Sequence, residues 1–321
     1  MRNGPAWLLT GGVGFIGHHL ATTLLRRGDR VRIVDDFSNA PYPEVLKRAN
    51  AATLTKTFGD AVEIVQGTIT DAALARRLVE NVAGVLHLAG LAGVRPSFAD
   101  PTLYMKVNVE GTATLFDAAQ RAGIETFVFA SSSSVYGNAT PLPAREDAPA
   151  MEHESPYAAS KRSAELVLSS MIKKTPSVRC PLLRFFTVYG PKQRPEMAIS
   201  SWLRHILADK PITVFGDGSM RRDFTHVEDI VRGVLAAVER APKGARAYNL
   251  GSGAPITLSD LVASMGRASG KKPLVEHAPV PLGDVDATFA DIARAREELG
   301  WQPQIRLDDG LATVVAWLRS E

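Results

Sequence analysis

Short hydrophobic runs alternate with longer segments of helical periodicity through the first 190 residues of the chain. The runs are rich in Val, Leu, Ile and Phe, as in strands buried on both faces, and between them apolar positions recur with the spacing of amphipathic helices. This alternation predicts an α/β fold in which helices cover both faces of a doubly wound parallel sheet. The predicted strands are 6–10, 31–35, 62–66, 85–89, 126–131 and 178–186, and the predicted helices include 16–27, 70–81, 107–121 and 157–174.

The pattern changes after residue 190, where Pro and Gly become frequent between shorter helices, as in GPKQRPEM, VFGDGSMRRDF and APVPLGDVD. We therefore expect one large domain over 1–190 and a smaller C-terminal α/β lobe over 191–321. The segment 226–250, which begins with the amphipathic stretch HVEDIVRGVLAAVER, is expected to return to the main sheet.

Composition places the chain among ordinary globular proteins, with 45% hydrophobic and 22% charged residues in a length of 321. The net charge of +3 is too small to indicate a nucleic-acid partner. Cys180 is the single cysteine, which excludes an internal disulfide and a cysteine zinc cluster and indicates a reducing, cytoplasmic location. No run of about 18 apolar residues predicts a membrane span, and glycines interrupt the N-terminal stretch where a signal peptide would be continuously apolar.

The stretch LLTGGVGFIGHHL places glycines between the first predicted strand and the first predicted helix. Gly11, Gly14 and Gly17 have a spacing that permits a tight turn and the close approach of a pyrophosphate to the helix N-terminus. A tight turn without a ligand is the alternative. Asp35 ends the second strand, where its carboxylate accepts from a ribose 2′-hydroxyl and repels a 2′-phosphate. The pattern therefore favours NAD over NADP, and Asp36 either joins this site or caps the following loop.

The stretch SPYAASKRSAELV contains Tyr157 and Lys161 four positions apart, so a helix presents both side chains on one face. By itself such a pair is common on solvated helices. The hydroxyl-rich SSSSVYG, at 131–137, lies at the end of a predicted strand. Because ligands of parallel sheets bind beyond the carboxyl ends of the strands, the glycine stretch, Asp35, LAGLAG, SSSSVYG and FFTVYG are expected to face one crevice.

Ordered motifs along nearly the whole chain resemble those of the short-chain dehydrogenase/reductase superfamily, in its extended branch of nucleotide-sugar epimerases and dehydratases. They are the glycine stretch, HLAGLAGVRPS, VNVEGT, Y-x-x-x-K, LRFFTVYGP, GDGSMRRDFTHVEDI and YNLGSG. The resemblance implies a Rossmann domain that binds NAD, a C-terminal lobe that binds a UDP-sugar substrate, and a homodimer formed through helices 107–121 and 157–174.

The resemblance also implies three catalytic residues. Lys161, as an ammonium ion near the positive nicotinamide ring, lowers the pKa of Tyr157, whose phenolate then removes a proton from a sugar hydroxyl. Lys161 also holds the nicotinamide ribose, and Ser132 hydrogen-bonds the reacting oxygen. Ser133 and Ser134 are expected to contact the substrate. The implied cofactor contacts, besides Tyr157 and Lys161, are Gly11, Gly14, Phe15, Ile16, Gly17, Asp35, Asp36, Asn39, Thr68, Ile69, Leu88, Ala89, Gly90 and Asn108.

Three positions depart from the family pattern. Thr68 stands where relatives usually have an aspartate near the adenine, so adenine recognition is expected to rest more on the backbone. Gly90 replaces an alanine, a change expected to be harmless to cofactor binding. Pro281 replaces an arginine or a glutamine before GDV, which removes one expected diphosphate or ribose contact and weakens the assignment of Asp284 to the substrate site.

Dehydratases and decarboxylase-type relatives carry a carboxylate directly before VYG, where this chain has Ser134. The resemblance therefore favours C4 epimerisation, by oxidation to a 4-keto sugar and return of the hydride to its other face. The stretch RFFTVYGPKQRPEM is similar to the bacterial UDP-glucuronate 4-epimerases. In that interpretation Thr187 hydrogen-bonds the sugar, and Arg194, or else Arg95, pairs with the uronate carboxylate. The remaining implied substrate contacts are Phe215 at the uracil, Arg222 at the diphosphate, and Asp284.

Other interpretations stay open at this point. Arg194 is alternatively a surface arginine or a nucleotide contact. The substrate is alternatively UDP-glucose, UDP-galactose or a UDP-N-acetylhexosamine, whereas decarboxylation and dehydration are disfavoured by Ser134. A non-catalytic NAD-binding sensor on the same fold usually lacks the tyrosine or the lysine, and this chain retains both together with Ser132.

Overall fold

The computed structural model describes residues 6–39, 42–149, 152–281 and 285–321. The strands are β1 (Ala6–Thr10), β2 (Arg30–Asp35), β3 (Val62–Gln66), β4 (Gly84–His87), β5 (Phe127–Ser132), β6 (Arg179–Phe185), β7 (Thr187–Tyr189), β8 (Ile212–Phe215), β9 (Arg221–Arg222), β10 (Phe224–His226), β11 (Gly244–Leu250), β12 (Ile256–Thr257) and β13 (Val275–Ala278). The α-helices are α1 (Phe15–Arg26), α2 (Glu44–Phe58), α3 (Ala72–Leu78), α4 (Val94–Ala99), α5 (Pro101–Met105), α6 (Gly111–Arg121), α7 (Pro156–Met171), α8 (Ala198–Leu207), α9 (Val227–Arg240), α10 (Leu258–Ser269), α11 (Ala293–Leu299) and α12 (Leu307–Ser320).

The main sheet has seven strands in the order β11-β6-β5-β4-β1-β2-β3, and every neighbouring pair is parallel. Strands β2 and β3 follow β1 toward one edge of the sheet. The chain then crosses back, and β4, β5 and β6 lie on the opposite side of β1, toward the other edge. The strand order therefore reverses between β1 and β4, and a crevice forms there beyond the carboxyl ends of the strands. The predicted doubly wound parallel sheet is confirmed.

Each of the six predicted strands coincides with one of β1 to β6 within two residues. The observed helices differ more from the predicted ones than the strands do. Residues 107–110 of the predicted helix 107–121 belong to a π-helical turn at Lys106–Glu110, so that α6 begins only at Gly111. Such turns recur at functional sites because they redirect side chains. Helix α2 has no counterpart among the predicted helices.

Consecutive residues of each central strand enter opposite cores, because side chains alternate across a sheet. Leu9 packs with α1 and α9 on one face, and Leu8 packs with α3, α6 and α7 on the other. Both side chains are fully buried. Burying one leucine contributes roughly 1.5–3 kcal/mol, so these two layers hold the strand ends, and the loops that follow them, in place.

After residue 190 the chain builds a third hydrophobic cluster around Trp202, Leu261 and Leu311, together with a parallel pair of strands, β8 and β13. It also contributes to the main sheet, because β11 extends the edge next to β6. The division of the chain into domains at residue 190 stays a prediction. Within the described ranges, no helix combines the length and the apolar character that a membrane crossing requires.

Candidate active site

The glycine-rich loop between β1 and α1 passes close to other backbone segments. Gly11 has a φ of 68°, and its N–H donates to the carbonyl of Val34 at 2.8 Å. A Cβ added to Gly11 would lie 2.9 Å from the nitrogen of Ala89, and one added to Gly17 would collide with the Gly11 carbonyl oxygen. The loop therefore requires glycine at both positions. It leaves the first N–H groups of α1 facing the crevice, where they attract phosphate.

A cavity of about 910 Å³ extends from this loop across the carboxyl ends of the strands. All of the predicted site residues line it except Asn39, Asn108 and Asp284. Asp284 lies outside the described residues. Asn39 accepts from the backbone N–H of Glu44 at 3.0 Å, at the start of α2, and its assignment as a cofactor contact stays a prediction.

The assignment of Asn108 as a cofactor contact also stays a prediction, and the structure gives this side chain partners within the protein. Its Oδ1 accepts from the N–H of Leu91 at 2.8 Å, and its Nδ2 donates to the carbonyl of Leu91 and to Ser160 Oγ, both at 2.9 Å. The side chain is 1% exposed and both amide hydrogens are used. Asn108 therefore ties the loop after β4 to α7. Gly90 belongs to this packing, since an added Cβ would lie 2.9 Å from Asn108 Oδ1, so the glycine matters more than the sequence indicated.

Helix α7 presents Tyr157 and Lys161, the predicted catalytic pair, to the end of β5. The helix begins at Pro156, and the Ser155 hydroxyl caps it by accepting from the N–H of Ala158 at 3.2 Å. Lys161 Nζ donates to the carbonyl of Ala130 at 2.9 Å. Tyr157 lies one turn earlier, at the level of Ser132 on β5. The predicted catalytic residues are therefore brought together at one point of the cavity.

Burial has the largest effect on the pKa values of Tyr157 and Lys161. It raises the pKa of Tyr157, although the Ser132 hydroxyl and the charge of Arg194 act to lower it. It also lowers the pKa of Lys161 to about 8, although Glu165 acts to raise it. The lowering of the Tyr157 pKa by Lys161 and the nicotinamide ring stays a prediction.

A buried ionic network supports α7 from behind. Glu165 is 1% exposed and accepts from Ser131 Oγ at 2.6 Å and from Arg184 Nε at 3.0 Å. Arg184 also donates to Tyr136 Oη at 2.9 Å. Arg162 adds a second guanidinium at 2.9 Å from Glu165. Sequence reasoning missed this network, because its members come from three separate segments of the chain.

Asp35, at the end of β2, carries a partner that the sequence did not reveal. Its Oδ1 accepts from the N–H of Phe37 and from Lys47 Nζ, both at 3.0 Å. Burial raises the pKa of Asp35, and Lys47 acts to lower it. Lys47 lies on α2 among other polar residues. In the sequence it therefore looks like an ordinary surface lysine, and its pairing with Asp35 could not be predicted.

The other half of the cavity carries the predicted substrate contacts. Arg194 is 17% exposed, and its Nε lies 3.4 Å from a carboxylate oxygen of Glu196. The Arg95 guanidinium stacks over the ring of Phe215, 4.9 Å from the ring centroid. Arg222, on β9, donates to the backbone carbonyl of Asp286 at 3.2 Å. The cavity thus holds several cations beyond the catalytic pair, which suits an anionic ligand.

Gln193 lines the cavity and is held by its own backbone neighbour, since its Nε2 donates to the carbonyl of Val188 at 2.9 Å. The glycine loop and Asp35, which line the same cavity, fit a dinucleotide.

The sheet order, the glycine loop at the strand reversal and the Ser-Tyr-Lys site together define an oxidoreductase-type enzyme of the short-chain dehydrogenase class. The chain belongs to the NAD dependent epimerase/dehydratase family, whose model matches residues 7–251.

Several relatives cover nearly the whole chain. A UDP-glucuronate 4-epimerase of Thermodesulfobacterium geofontis is 37% identical over 316 residues, which span 97% of this chain and 95% of the relative. UDP-glucuronate 4-epimerase 3 of Arabidopsis thaliana is 38% identical over 335 residues, which span 98% of this chain and 77% of the relative.

The fold is shared with solved structures as well. UDP-glucuronic acid 4-epimerase from Bacillus cereus, in complex with UDP-glucuronic acid and NAD, matches with a TM-score of 0.90 at 32% identity, covering 98% of this chain and 99% of that one. MoeE5, in complex with UDP-glucuronic acid and NAD, matches with a TM-score of 0.86 at 34% identity over the same shares.

Proposed function

We propose that this enzyme interconverts UDP-glucuronate and UDP-galacturonate by epimerisation at C4, with bound NAD. The observation that carries the proposal is the position of Arg194, which lines the same cavity as Tyr157 and acts to lower the pKa of that phenol. A cation that lines the same cavity as Tyr157 can meet the sugar on which this phenol acts. A guanidinium binds a carboxylate through two parallel hydrogen bonds, so it suits a uronate. The relatives named UDP-glucuronate 4-epimerases support the same substrate.

The chemistry at C4 follows from the arrangement of the side chains. Bound NAD supplies reversible acceptance of a hydride from C4. Tyr157, as phenolate, takes the proton of the 4-hydroxyl, and Ser132 hydrogen-bonds the same oxygen while it becomes a carbonyl. The 4-keto sugar then turns and presents its other face. Tyr157 returns the proton to the oxygen as the hydride returns to carbon, so the reaction has no net oxidation.

The uronate carries a hazard that the site must control. A carboxylate next to the 4-keto group makes a β-keto acid, which loses CO₂ when the breaking C–C bond aligns with the carbonyl π system. Arg194 and Thr187 hold the carboxylate and the sugar in a fixed orientation, which we infer prevents that alignment. Ser134 supplies no carboxylate for elimination or for a second proton transfer.

Proton NMR of the anomeric signals tests the proposal. The purified enzyme is incubated with UDP-glucuronate, and separately with UDP-glucose, without added NAD. Growth of UDP-galacturonate alone is the expected result and also demonstrates retained NAD. Growth of UDP-galactose alone would contradict the role of Arg194, and this outcome is informative because MoeE5 has been crystallised with UDP-glucose as well. Appearance of a UDP-pentose would identify a decarboxylase instead.

We also propose that the chain forms a homodimer through the face that includes α7. Helices α4 and α5 pack beside α7, and this region exposes large apolar side chains. They are Phe98, Leu103, Met105 and Leu166, which are 43–54% exposed. Exposed large apolar side chains on neighbouring helices are typical of an interaction site. Light scattering on a size-exclusion column should give twice the 34.5 kDa chain mass, and Leu166→Glu should give the monomer.

A cytoplasmic location also belongs to the proposal, and it rests on the single cysteine rather than on the fold. Fractionation of the source cells, with detection of the protein in the cytosolic fraction, tests it.

A further inference from the structure

A lysine is held between two acidic side chains at the adenosine end of the cavity. Lys47 Nζ lies 3.0 Å from Asp35 Oδ1, 3.3 Å from Asp36 Oδ1 and 3.4 Å from Ser38 Oγ. The lysine side chain is only 8% exposed, and all four residues line the cavity. A buried ammonium costs several kcal/mol unless it is paired, so its contacts with both carboxylates explain why this lysine tolerates burial.

The two carboxylate oxygens of Asp35 differ in their hydrogen-bond partners. Phe37 N–H and Lys47 both bind Oδ1, which leaves Oδ2 as the acceptor available to a ribose diol. Lys47 acts to lower the pKa of Asp35, which burial raises, and so favours the ionised form that accepts hydrogen bonds. For Asp36, burial acts to raise the pKa, but bonds from Ser38 and Lys47 bring it below its ordinary value.

We propose that Asp35, Asp36 and Lys47 act as one unit that selects the dinucleotide, in which Lys47 is a phosphate-binding cation masked by the two carboxylates. Two carboxylates and one ammonium leave one net negative charge, which repels a 2′-phosphate and accepts a 2′-hydroxyl. Neutralising the carboxylates without changing their shape exposes the ammonium. The same pocket then favours NADP. The inference concerns the cofactor and does not depend on which sugar the enzyme converts.

The test compares isosteric variants by the nucleotide that each one retains. The double variant Asp35→Asn, Asp36→Asn preserves the acceptor oxygens that bind the N–H groups of Phe37 and Ser38. Nucleotide is released from each purified protein by acid and separated by chromatography. The wild type should release NAD, and the double variant should raise the ratio of NADP to NAD at least about tenfold. Adding Lys47→Met to the double variant should abolish that rise.

Arg48 provides the matched control. It is the next residue on α2, also cationic, but half-exposed and paired with Glu44 at 2.6 Å. Adding Arg48→Met to the double variant should leave the NADP ratio raised. An equal loss of NADP in the Arg48 and Lys47 variants would mean that general positive charge on α2, and not the masked cation, selects the nucleotide.

A second measurement covers variants that are purified without nucleotide. Each protein is melted with and without 1 mM NAD or NADP, since a ligand that binds the native state raises the melting temperature. NADP should stabilise the double variant and leave the wild type unchanged, with Asp35→Asn alone between them. A double variant that folds, keeps a wild-type ratio and shows no stabilisation by NADP would overturn the proposal. A wild type stabilised equally by both nucleotides would overturn it too.

Discussion

Glu165 and Arg184 form a buried ion pair that joins α7 to β6. The two guanidinium contacts, at 3.0 and 2.8 Å, are bidentate, and the two side chains are 1% and 3% exposed. Glu165 stands one helical turn beyond Lys161 and also accepts from Ser131. The pair therefore sets the position of α7, which carries Tyr157 and Lys161, relative to the end of β5, which carries Ser132.

Glu165→Gln is expected to destabilise the protein by about 3–5 kcal/mol, because it leaves the buried Arg184 charge without its carboxylate. Urea unfolding followed by fluorescence measures the loss. The double variant Glu165→Gln, Arg184→Met removes both charges and should recover much of the stability. A single variant as stable as the wild type would show that the pair contributes little, and that packing alone holds α7.

Tyr157→Phe should lower turnover of UDP-glucuronate by roughly 10²–10⁴-fold, because it removes the group that exchanges the proton of the 4-hydroxyl. The NMR assay measures the rate. The variant should keep a melting temperature close to that of the wild type, since phenylalanine preserves the aromatic ring. Ser132→Ala should have a smaller effect of the same kind. Turnover unchanged in Tyr157→Phe would place the catalytic base elsewhere.

The buried Lys161 should give the protein a pH-dependent stability. Burial lowers its folded-state pKa from 10.5 to about 8, so between these values the unfolded chain binds more protons than the folded one. The free energy of unfolding from this group therefore rises with pH across that window, by at most about 1.4 kcal/mol per pH unit. Below pH 8 the cost of burying the ammonium is fully present.

Lys161→Met should abolish that rise. Urea unfolding of both proteins at pH 7.5, 8.5 and 9.5 gives the comparison, and the difference in stability between wild type and variant should change in favour of the wild type as the pH increases. Parallel curves for the two proteins would contradict the lowered pKa of Lys161. Lys173→Met, at an exposed position, is the control and should leave the profile unchanged.

Arg194→Leu should lower kcat/KM for UDP-glucuronate by roughly ten- to a hundredfold for each charge-assisted hydrogen bond lost, at about 1.5–3 kcal/mol each. Activity on UDP-glucose should change much less, because that sugar has no carboxylate to pair with the guanidinium. Arg194→Lys should retain part of the activity, since lysine keeps the charge but not the two-pronged geometry. Equal losses on both sugars would move the carboxylate contact away from Arg194, with Arg95 as the next candidate.

Local sequence patterns were sufficient to predict many features of this protein. The strands, the glycine loop, Asp35 and the Tyr157–Lys161 pair were all predictable, because strand and helix periodicities act over a few residues and parallel strands bring their carboxyl ends to one edge. The sequence by itself therefore determined the fold class and the place of the site. It also predicted Ser132, Tyr157 and Lys161, to which the proposed chemistry is assigned.

Tertiary structure decided how those residues are held and charged. Arg184 pairs with Glu165 from another strand, and Lys47 pairs with Asp35 from a helix that the periodicity did not reveal. Asn108 hydrogen-bonds the backbone of Leu91, 17 residues earlier in the chain. The pKa of Tyr157 is raised by burial and lowered by Arg194, which lies 37 residues further along the chain. These ion pairs and pKa shifts depend on which distant segments pack together and on how completely they exclude water. The spacing of residues along the chain gives information about neither.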